Sequence, residues 1–275
     1  MQINIANELK NAREKYTALV PAVEQASLIL LALAKSPIPK MNLTDICKEV
    51  GIHKSKGYAI LNTLQLFGFV ERDPNDKRYS LGVGLLTLSR KFLDNSNLQA
   101  VVSGFLLDLK EKTKSTSFYG VVNEESLFVV AKEEGTGEYG FSLRVGHRFP
   151  ITAGAHGKAV VAFLPEDDQK VILNKKILYF HGDPGSLDRA RLEDELIKCR
   201  QKGYAEDAGE MQEGINALAA PVFSSSGKVI GVIFILGIFP KKLFSQYGAL
   251  VAKNAEKLSS LFGYVKEKNN YSAIG

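Results

Sequence analysis

Hydrophobic residues recur at helical spacing through the first third of the chain. A dense apolar run at 23–33 predicts a buried helix, which Pro37 ends because proline lacks an amide donor and disfavours helix in the residue before it. Two shorter helical patterns follow at 42–50 and 53–67, with Gly51 between them. Two short helices joined by so few residues must cross steeply, which predicts a helix-turn-helix.

Around these helices the sequence also predicts a cap and a wing. Thr44 is expected as the N-cap of the first helix of the pair. After Gly68 the apolar spacing changes from helical to alternating, so 69–72 and 78–81 are predicted strands. The five residues between them, DPNDK, are typical of a turn. The chain therefore predicts a β-hairpin wing directly after the helix pair.

The rest of the chain predicts an α+β domain. Its strands come in pairs that meet at short turns, and helical patterns lie between the pairs. Hairpins flanked by helices indicate a mainly antiparallel sheet with helices packed on it. The predicted strands are 118–123, 126–133, 217–223 and 228–237, and the predicted helices are 103–114, 156–164, 188–202 and 245–262.

These patterns predict a two-domain protein: an N-terminal all-α winged helix-turn-helix with a β-hairpin wing, and a C-terminal α+β domain. The predicted segments are a helical extension at 1–20, the winged helix-turn-helix at 21–81, a linker helix at 82–96, the α+β domain at 97–264 and a tail at 265–275.

Charge is distributed unevenly between the two predicted domains. Residues 1–96 hold 13 Lys and Arg against 9 Asp and Glu, whereas 97–275 hold 22 against 21. The basic excess of the chain therefore lies almost entirely in its first third, which is where a polyanionic partner is expected. An excess of this size is also within ordinary variation, so charge alone leaves both interpretations open.

Several classes of protein are disfavoured by the sequence. No run of eighteen apolar residues is present, so no transmembrane helix and no membrane partner are expected. The polar start lacks the apolar centre of a secretory signal. Cys47 and Cys199 lie far apart, which argues against a disulfide framework and a structural zinc site. We expect a cytoplasmic protein.

The second helix of the pair is the first candidate site. In helix-turn-helix proteins its first turns enter the major groove, where basic and hydroxyl side chains contact phosphates and base edges. A solvated helix face is the competing interpretation, and the basic hairpin beside the helix favours nucleic acid. The predicted DNA-binding residues are Thr44, Lys54, Ser55, Lys56, Tyr58 and Asn62 on the helices, with Arg72, Lys77 and Arg78 on the wing.

The segment TAGAHGKAVVAFLP at 152–165 is the second candidate site. Its small residues at 154–157 precede an apolar helix and let a ligand approach the backbone. A helix start offers free amides and the positive end of the helix dipole, which favours an anion such as a carboxylate. Lys158 would add charge if it faced the ligand. A tight packing turn is the alternative.

An enzyme is not expected from these residues. The four histidines are scattered, and no Gly-x-Ser-x-Gly, P-loop or GxGxxG motif occurs. Asp207 and Glu210 are near each other, but carboxylates in a loop are usually solvated. We therefore predict no catalytic residues, no cofactor and no metal site.

The ordered motifs resemble the IclR family of bacterial transcriptional regulators. The resemblance runs over 21–263 and rests on the wing ending in RYSLG at 78–82, on 145–165, and on 203–237. The segments GKA, GYA, EGINALAAPVF and GKVIGV are specific when they occur together.

Membership of that family would imply a winged-helix DNA-binding domain and a GAF-like effector-binding domain. Such proteins are dimers or tetramers that bind operators near promoters, with affinity changed by a small metabolite, often a carboxylate or an aromatic compound. The residues that match the family's effector pocket are Gly154, Ala155, His156, Asp207, Ile215, Ala217, Phe234 and Leu236.

The chain departs from the family pattern at two places. Some members that bind small carboxylates have Cys or Ser where this chain has Ala217, Phe234 and Leu236, so a larger or more apolar acid is expected. The recognition helix often carries Arg where Ala59 stands, so the operator is expected to differ.

The resulting hypothesis is a dimer that places two recognition helices in successive major grooves of a double-stranded DNA operator. A small-molecule effector would shift the two DNA-binding domains through the helix at 82–96. One rival is a winged helix that binds protein, with a C-terminal domain that only dimerises. Another is an enzyme with a regulatory N-terminal domain.

Overall fold

The computed structural model describes residues 20–95, 98–136 and 143–265, and of residues 90–95 it describes only the backbone. The chain divides into two compact units, with the boundary between residues 97 and 98. The predicted N-terminal extension, apart from residue 20, and the predicted tail, apart from residue 265, lie outside the described residues.

The N-terminal unit is the predicted winged helix-turn-helix. Its helices α2 and α3 form the helix pair, and β1 and β2 pair as an antiparallel wing. The elements are α1 (Pro21–Lys35), α2 (Leu43–Val50), α3 (Lys54–Leu66), β1 (Val70–Arg72), β2 (Tyr79–Leu81) and α4 (Gly84–Asn95).

The start of α2 corrects one prediction. Asn42, not Thr44, is the N-cap: its side-chain oxygen accepts a hydrogen bond of 2.9 Å from the amide of Asp45. Thr44 lies in the first turn and is exposed. Both residue types cap helices well, and the helix begins at Leu43, two residues earlier than it would with Thr44 as its N-cap. Gly51 ends the helix as predicted, with a left-handed φ of 71°.

Close packing of the helix pair depends on Gly57. A Cβ at this position of α3 would overlap Sγ of Cys47 on α2. The low helix propensity of glycine, about 1 kcal/mol below alanine, is therefore offset by the approach of the two helices. Leu61 and Leu64 are buried beside it, whereas Phe67, the last residue of the predicted helical pattern at 53–67, is exposed and follows the helix end.

The C-terminal unit confirms the predicted α+β class. The structure adds the helix α7 and the short strands β5 and β6, which the sequence did not indicate. The elements are α5 (Leu98–Thr113), β3 (Thr116–Asn123), β4 (Ser126–Glu133), β5 (Arg148–Pro150), α6 (Gly154–Val161), α7 (Glu166–Leu173), α8 (Arg189–Lys202), β6 (Ala205–Ala208), β7 (Asn216–Phe223), β8 (Val229–Gly237) and α9 (Phe244–Leu261).

The six strands form one antiparallel sheet in the order β5-β4-β3-β8-β7-β6. Side chains alternate between its two faces along each strand. One face, with Phe118 and Phe234, packs against residues of α6 and α8. The other, with Tyr119 and Ile233, packs against α5 and α9. The start of α6 is thus held against one face of the sheet.

Within the described ranges, every helix is too short or too polar to cross a bilayer.

Candidate functional site

The exposed face of α3 carries the predicted groove-binding residues. Gly57, Leu61 and Leu64 turn inward, so the residues between them point to solvent. His53 is the N-cap but makes no side-chain cap hydrogen bond, so within the described part of the chain the first amides of α3 are open to an anion. We call this face the α3 surface; it consists of Lys54, Ser55, Lys56, Tyr58 and Asn62, all exposed.

The basic residues of the wing fall into two kinds. Lys77 and Arg78 are exposed at the hairpin turn, where a phosphate could reach them. Arg72 instead stacks its guanidinium over the rings of Tyr58 and Tyr79, at 5.9 and 5.5 Å from the ring centroids. Its buried Nε has no hydrogen-bond partner among the residues that the structure describes. Arg72 therefore braces the wing against α3 as well as carrying charge.

The wing turn is fixed by Asp73. This carboxylate pairs with Lys40 and accepts a 2.8 Å hydrogen bond from the amide of Asn75. The hydrogen bond from Lys40 and that of Asn75 lower the pKa of Asp73 to about 2. The turn that presents Lys77 and Arg78 is therefore held by an ionised group at neutral pH.

The start of α6 offers unpaired backbone donors in the C-terminal unit. Ala153 is the N-cap and makes no side-chain cap hydrogen bond. The amide of Gly154 donates to the carbonyl of Tyr179 at 3.2 Å, but the amides of Ala155 and His156 have no acceptor among the described residues. Two buried amides and the positive end of the helix dipole thus converge on one turn.

Asp207 on β6 lies directly beside that turn. A Cβ on Gly154 would lie 2.8 Å from Oδ2 of Asp207 and 2.6 Å from Cγ of Met211, so the turn requires glycine for space as well as for its φ of 49°. Oδ1 of Asp207 accepts from the amide of Glu210 at 2.8 Å. Burial raises the pKa of Asp207, and the charge of Lys158 opposes that rise.

Aromatic rings line the sheet side of the α6 start. The His156 ring lies 4.3 Å from that of Phe149 and 5.6 Å from that of Phe234, and Phe234 stacks on Phe118 at 5.0 Å. We call these four residues the aromatic wall. Burial lowers the pKa of His156 to about 3, so its imidazole is neutral at physiological pH.

The structure places most of the predicted ligand residues together. Ala217 pairs with Leu236 across β7 and β8 and with Asp207 across β6 and β7. Ala155, Ala217 and Phe234 share one buried cluster, and Leu236 packs against it. Ile215 is half-buried in the turn before β7 and, within the described part of the chain, does not belong to that cluster.

The charge of Lys158 is paired within the protein and is not free to bind a ligand. It is buried, and its Nζ lies 2.8 Å from Oε2 of Glu195 and 3.0 Å from Oε2 of Glu210. Arg191 pairs with the same two carboxylates, and Nε2 of His181 lies 2.9 Å from Glu195. We call these five residues the Lys158 cluster. Glu210 is paired in this cluster and Asp207 is buried on β6, so the interpretation of the two as solvated loop carboxylates is wrong.

The Lys158 cluster contains donors of the type that bind divalent cations. Ligand atoms of His181, Glu195 and Glu210 lie within 4.8 Å of one another. The ammonium of Lys158 contacts both carboxylates and already compensates their charge, so a cation would have to displace it. Burial alone would raise the pKa of Glu195, but Lys158, His181 and Arg191 outweigh it and lower that pKa.

One signal in the sequence pointed to this cluster. Lys158 stands in an otherwise apolar helix, where a lysine is expected to be paired if it is buried. Its partners follow 37 and 52 residues later, and nothing in their local sequence identifies them.

Comparison with known protein families matches both units. The profile of the bacterial transcriptional regulator IclR C-terminal domain matches residues 90–260, and the IclR helix-turn-helix profile matches 22–74. The glycerol operon regulatory protein of Streptomyces griseus is 30% identical over 224 residues, 79% of this chain and 85% of that protein. The transcriptional regulator KdgR of Escherichia coli is 29% identical over 257 residues, covering 91% and 96%.

Solved structures show the same architecture. An IclR transcriptional regulator from Alicyclobacillus acidocaldarius superposes with a TM-score of 0.77 at 26% identity, covering 90% of this chain and all of that one. The IclR of Thermotoga maritima gives a TM-score of 0.68 at 26% identity, covering 88% and 98%. The observed C-terminal fold is consistent with the expected GAF-like type.

Proposed function

Because this chain belongs to the IclR family of bacterial transcriptional regulators, we propose that it binds a DNA operator through the α3 surface and the wing, and that a small organic molecule bound at the start of α6 changes that binding. Family membership confirms the prediction of a helix-turn-helix regulator that is not an enzyme, since its relatives are transcriptional regulators. The operator, the effector and their residues are the proposal.

The single observation that supports DNA binding best is the composition of the α3 surface. Lys54 and Lys56 supply charge for phosphates, while Ser55, Tyr58 and Asn62 supply hydrogen bonds for phosphates or base edges. The inward side of α3 packs on α2, so the exposed side chains lie outside that helix contact. Tyr58 differs from the others because its ring contacts Arg72 of the wing.

The proposed effector site combines the two free amides at the start of α6, Asp207 and the aromatic wall. An organic acid or an aromatic metabolite suits this combination, since the amides bind an oxygen anion and the wall binds an apolar body. Phe234 and Leu236 stand where small polar residues would favour a very small, polar effector. We therefore propose an effector larger than a two-carbon or three-carbon acid.

We further propose that the protein acts as a homodimer or homotetramer, because one recognition helix reads only a half-site. A dimer would bind half-sites about one helical turn apart. Effector binding would alter the spacing of the two DNA-binding units by way of α4, with a coupling of about 1–3 kcal/mol. Action on the chromosome would also require a cytoplasmic location, which remains a prediction.

The experiment that tests this function is a selection of genomic DNA fragments on the purified protein at about 150 mM salt, where non-specific binding is weak. We expect recovery of a few promoter fragments that share a pseudo-palindrome. Recovery of all fragments equally, with and without added metabolite extract, would contradict the proposal and favour a protein-interaction module.

The selection has a matched control within the chain. Lys54→Ala removes one exposed charge from the α3 surface and Lys253→Ala removes one from α9 of the C-terminal unit, so the two variants change the net charge equally. We expect Lys253→Ala to recover the same fragments as the unmodified protein.

A further inference from the structure

Arg72 differs from the other basic residues of the wing in what holds its side chain. Lys77 and Arg78 are exposed at the hairpin turn, and Lys40 pairs with Asp73 beside them. The guanidinium of Arg72 lies between two tyrosine rings, and among the described residues its buried Nε has no hydrogen-bond partner. Within the same ranges no carboxylate forms an ion pair with it. The two ring faces are therefore the contacts that hold this cation.

The two rings that hold Arg72 are themselves fixed to different degrees. Tyr79 is 1% exposed and belongs to the hydrophobic core of the N-terminal unit, and its amide and carbonyl both bond to the backbone of Met41. Tyr58 is 43% exposed on the α3 surface, and its ring centroid lies 5.9 Å from the guanidinium carbon, against 5.5 Å for Tyr79. Arg72 thus connects a ring that the core holds to a ring that the core does not hold.

A tyrosine on an exposed helix face is not confined to one conformation. Two χ1 wells are open to a long side chain in a helix, and exposure alone does not choose between them. Contact with a cation favours the conformation in which the ring face meets the charge, and the planar guanidinium of arginine stacks on a ring better than the ammonium of lysine does. Arg72 therefore selects the conformation in which Tyr58 is presented on the α3 surface.

A fixed side chain discriminates between DNA sequences better than a mobile one. A mobile side chain repacks on an incorrect base, whereas a fixed one leaves a hydrogen bond unmade there. A fixed side chain also loses less conformational entropy on binding. The exposed neighbours Lys54 and Lys56 suit phosphates, and phosphate contacts carry no sequence information directly. The hydroxyl of Tyr58 is thus a group for base reading that the wing holds in place.

We propose that Tyr58 is a specificity-determining residue of the α3 surface and that Arg72 is its positioning residue. Tyr79 fixes the guanidinium of Arg72, and the guanidinium fixes the ring of Tyr58. The hydroxyl of Tyr58 then forms a hydrogen bond with a base edge in the major groove. This inference rests on the DNA binding proposed above and names the residues on which the choice of operator depends.

Two other roles for Arg72 lead to different expectations. An arginine that only contacts a phosphate contributes affinity for every DNA sequence, so its loss weakens the binding of all sequences alike. An arginine that only stabilises the wing also contributes to the binding of all sequences alike. A positioning residue instead changes the dissociation constant for a random duplex divided by that for an operator fragment. We call this quotient the specificity ratio.

The test measures the specificity ratio of the full-length protein with a promoter fragment recovered by the genomic selection and a random-sequence duplex of the same length. Tyr58→Phe keeps the ring and removes the hydroxyl, and we expect it to lower the ratio about tenfold, the size of one lost base contact. Arg72→Met should lower the ratio by a similar factor. Arg78→Met is the matched control, because it removes the same charge from an exposed position of the wing. It should weaken binding to both duplexes and keep the ratio.

A double variant decides whether Arg72 acts through Tyr58. With the hydroxyl already absent, Arg72→Met should change the specificity ratio of Tyr58→Phe by less than about twofold, because no base contact is left to misplace. A further loss of about tenfold in the double variant would show that Arg72 contacts a base itself, and would overturn the proposal. An unchanged ratio in Tyr58→Phe or in Arg72→Met would overturn it as well.

The position of the Tyr58 ring can also be followed without DNA. The chain has 10 tyrosines, so protein labelled with ¹³C-tyrosine gives few ring signals, and Tyr58→Phe identifies those of Tyr58. Arg72→Met should shift the Tyr58 signals toward those of free tyrosine, and Arg78→Met should leave them in place. Arg72→Lys keeps the charge and lacks the planar group, so it should shift them part of the way even if Arg72→Met fails to fold. Tyr58 signals that match the wild type in both Arg72 variants would overturn the proposal.

Failure of this inference can be told from failure of the proposed function. A wild-type protein that binds the promoter fragment and the random duplex equally would contradict both. A wild-type protein that discriminates between them, with a specificity ratio that Tyr58→Phe and Arg72→Met leave unchanged, would support operator binding and overturn the roles of Tyr58 and Arg72.

Discussion

The two candidate sites hold their polar groups in opposite ways. The α3 surface presents exposed side chains on a helix whose other face is packed, so its residues other than Tyr58 can change without disturbing a packing contact of the wing or core. The α6 start is surrounded by polar groups that are themselves buried, among them Asp207, His156 and Lys158. Substitutions in the first region should therefore report on binding, whereas those in the second also change stability.

The contrast has an exception inside the N-terminal unit. Gly57 and Arg72 belong to the helix and wing that carry the predicted contacts, yet both are engaged in packing. The α3 surface depends on them because Gly57 sets how closely α3 approaches α2, and Arg72 joins the wing to α3. The positions of the exposed residues thus depend on the packing of Gly57 and Arg72.

The largest effect is expected in the Lys158 cluster. Lys158→Met should lower the free energy of unfolding by about 3 kcal/mol, because it leaves the carboxylates of Glu195 and Glu210 facing each other in a partly buried site. Urea unfolding of the full-length protein measures this. Lys170→Met is the control: it removes an exposed pair with Glu166 and should cost less than about 0.5 kcal/mol. Equal effects of the two variants would refute the special role of burial.

The next effect is a pH dependence that originates at His156. Its pKa is about 3 in the fold and 6.5 in the unfolded chain, so below pH 6.5 the unfolded chain binds a proton that the folded chain does not. Stability should therefore fall as the pH falls, by about 2 kcal/mol between pH 6.5 and 5. His156→Phe should lack this loss, whereas His147→Phe should keep most of it, because burial lowers the pKa of His156 more than the charge of the exposed His147 does. Parallel pH profiles of wild type and His156→Phe would contradict the assignment.

A smaller effect tests the helix contact under the α3 surface. Gly57→Ala should destabilise the N-terminal unit by about 1–2 kcal/mol, since overlap with Cys47 exceeds the gain in helix propensity. Combining it with Cys47→Ala should restore part of the loss. Gly104→Ala is the control, because a Cβ there meets nothing within 4 Å and should stabilise α5. Thermal unfolding of the wild type and these three variants decides between the outcomes.

The smallest expected effect is also the most specific to function. Lys54→Ala should weaken binding to a selected promoter fragment by about 1 kcal/mol and lower the salt dependence by about one counterion. Its stability should stay within about 0.5 kcal/mol of the wild type, because Lys54 is exposed. A binding curve that matches that of Lys253→Ala at every salt concentration would remove Lys54 from the interface.

The parts of the fold that were predicted correctly are those determined locally. The helix pair, Gly51 as its turn residue and the two C-terminal hairpins follow from apolar spacing and turn chemistry within a few residues. The sequence does not indicate the helix α7, because it is short and begins with polar residues. It does not indicate the strands β5 and β6 either, because each has only three or four residues and is defined by pairing with a neighbouring strand. The N-cap was misplaced because Asn42 and Thr44 both suit that position.

The residues of the candidate sites also differ in whether local sequence or tertiary packing determines their environment. Exposed residues such as Lys54 could be named from the sequence, because helical periodicity alone tells which side of α3 faces out. The partners of Lys158 could not, since Glu195 and Glu210 reach it only through the packing of α8 and the loop after β6. The aromatic packing of His156 involves Phe149 and Phe234, which stand 7 residues before it and 78 after it.

The central claim is that a ligand at the start of α6 controls DNA binding. It is tested most directly by the ratio of the dissociation constants for DNA with and without that ligand. The dissociation constant for a selected promoter fragment is measured with and without metabolite extract, in wild type and in Asp207→Asn. We predict a change of about 5-fold to 150-fold in the wild type and less than about 2-fold in Asp207→Asn. An equal response of the two proteins would place the effector elsewhere in the molecule and contradict the account.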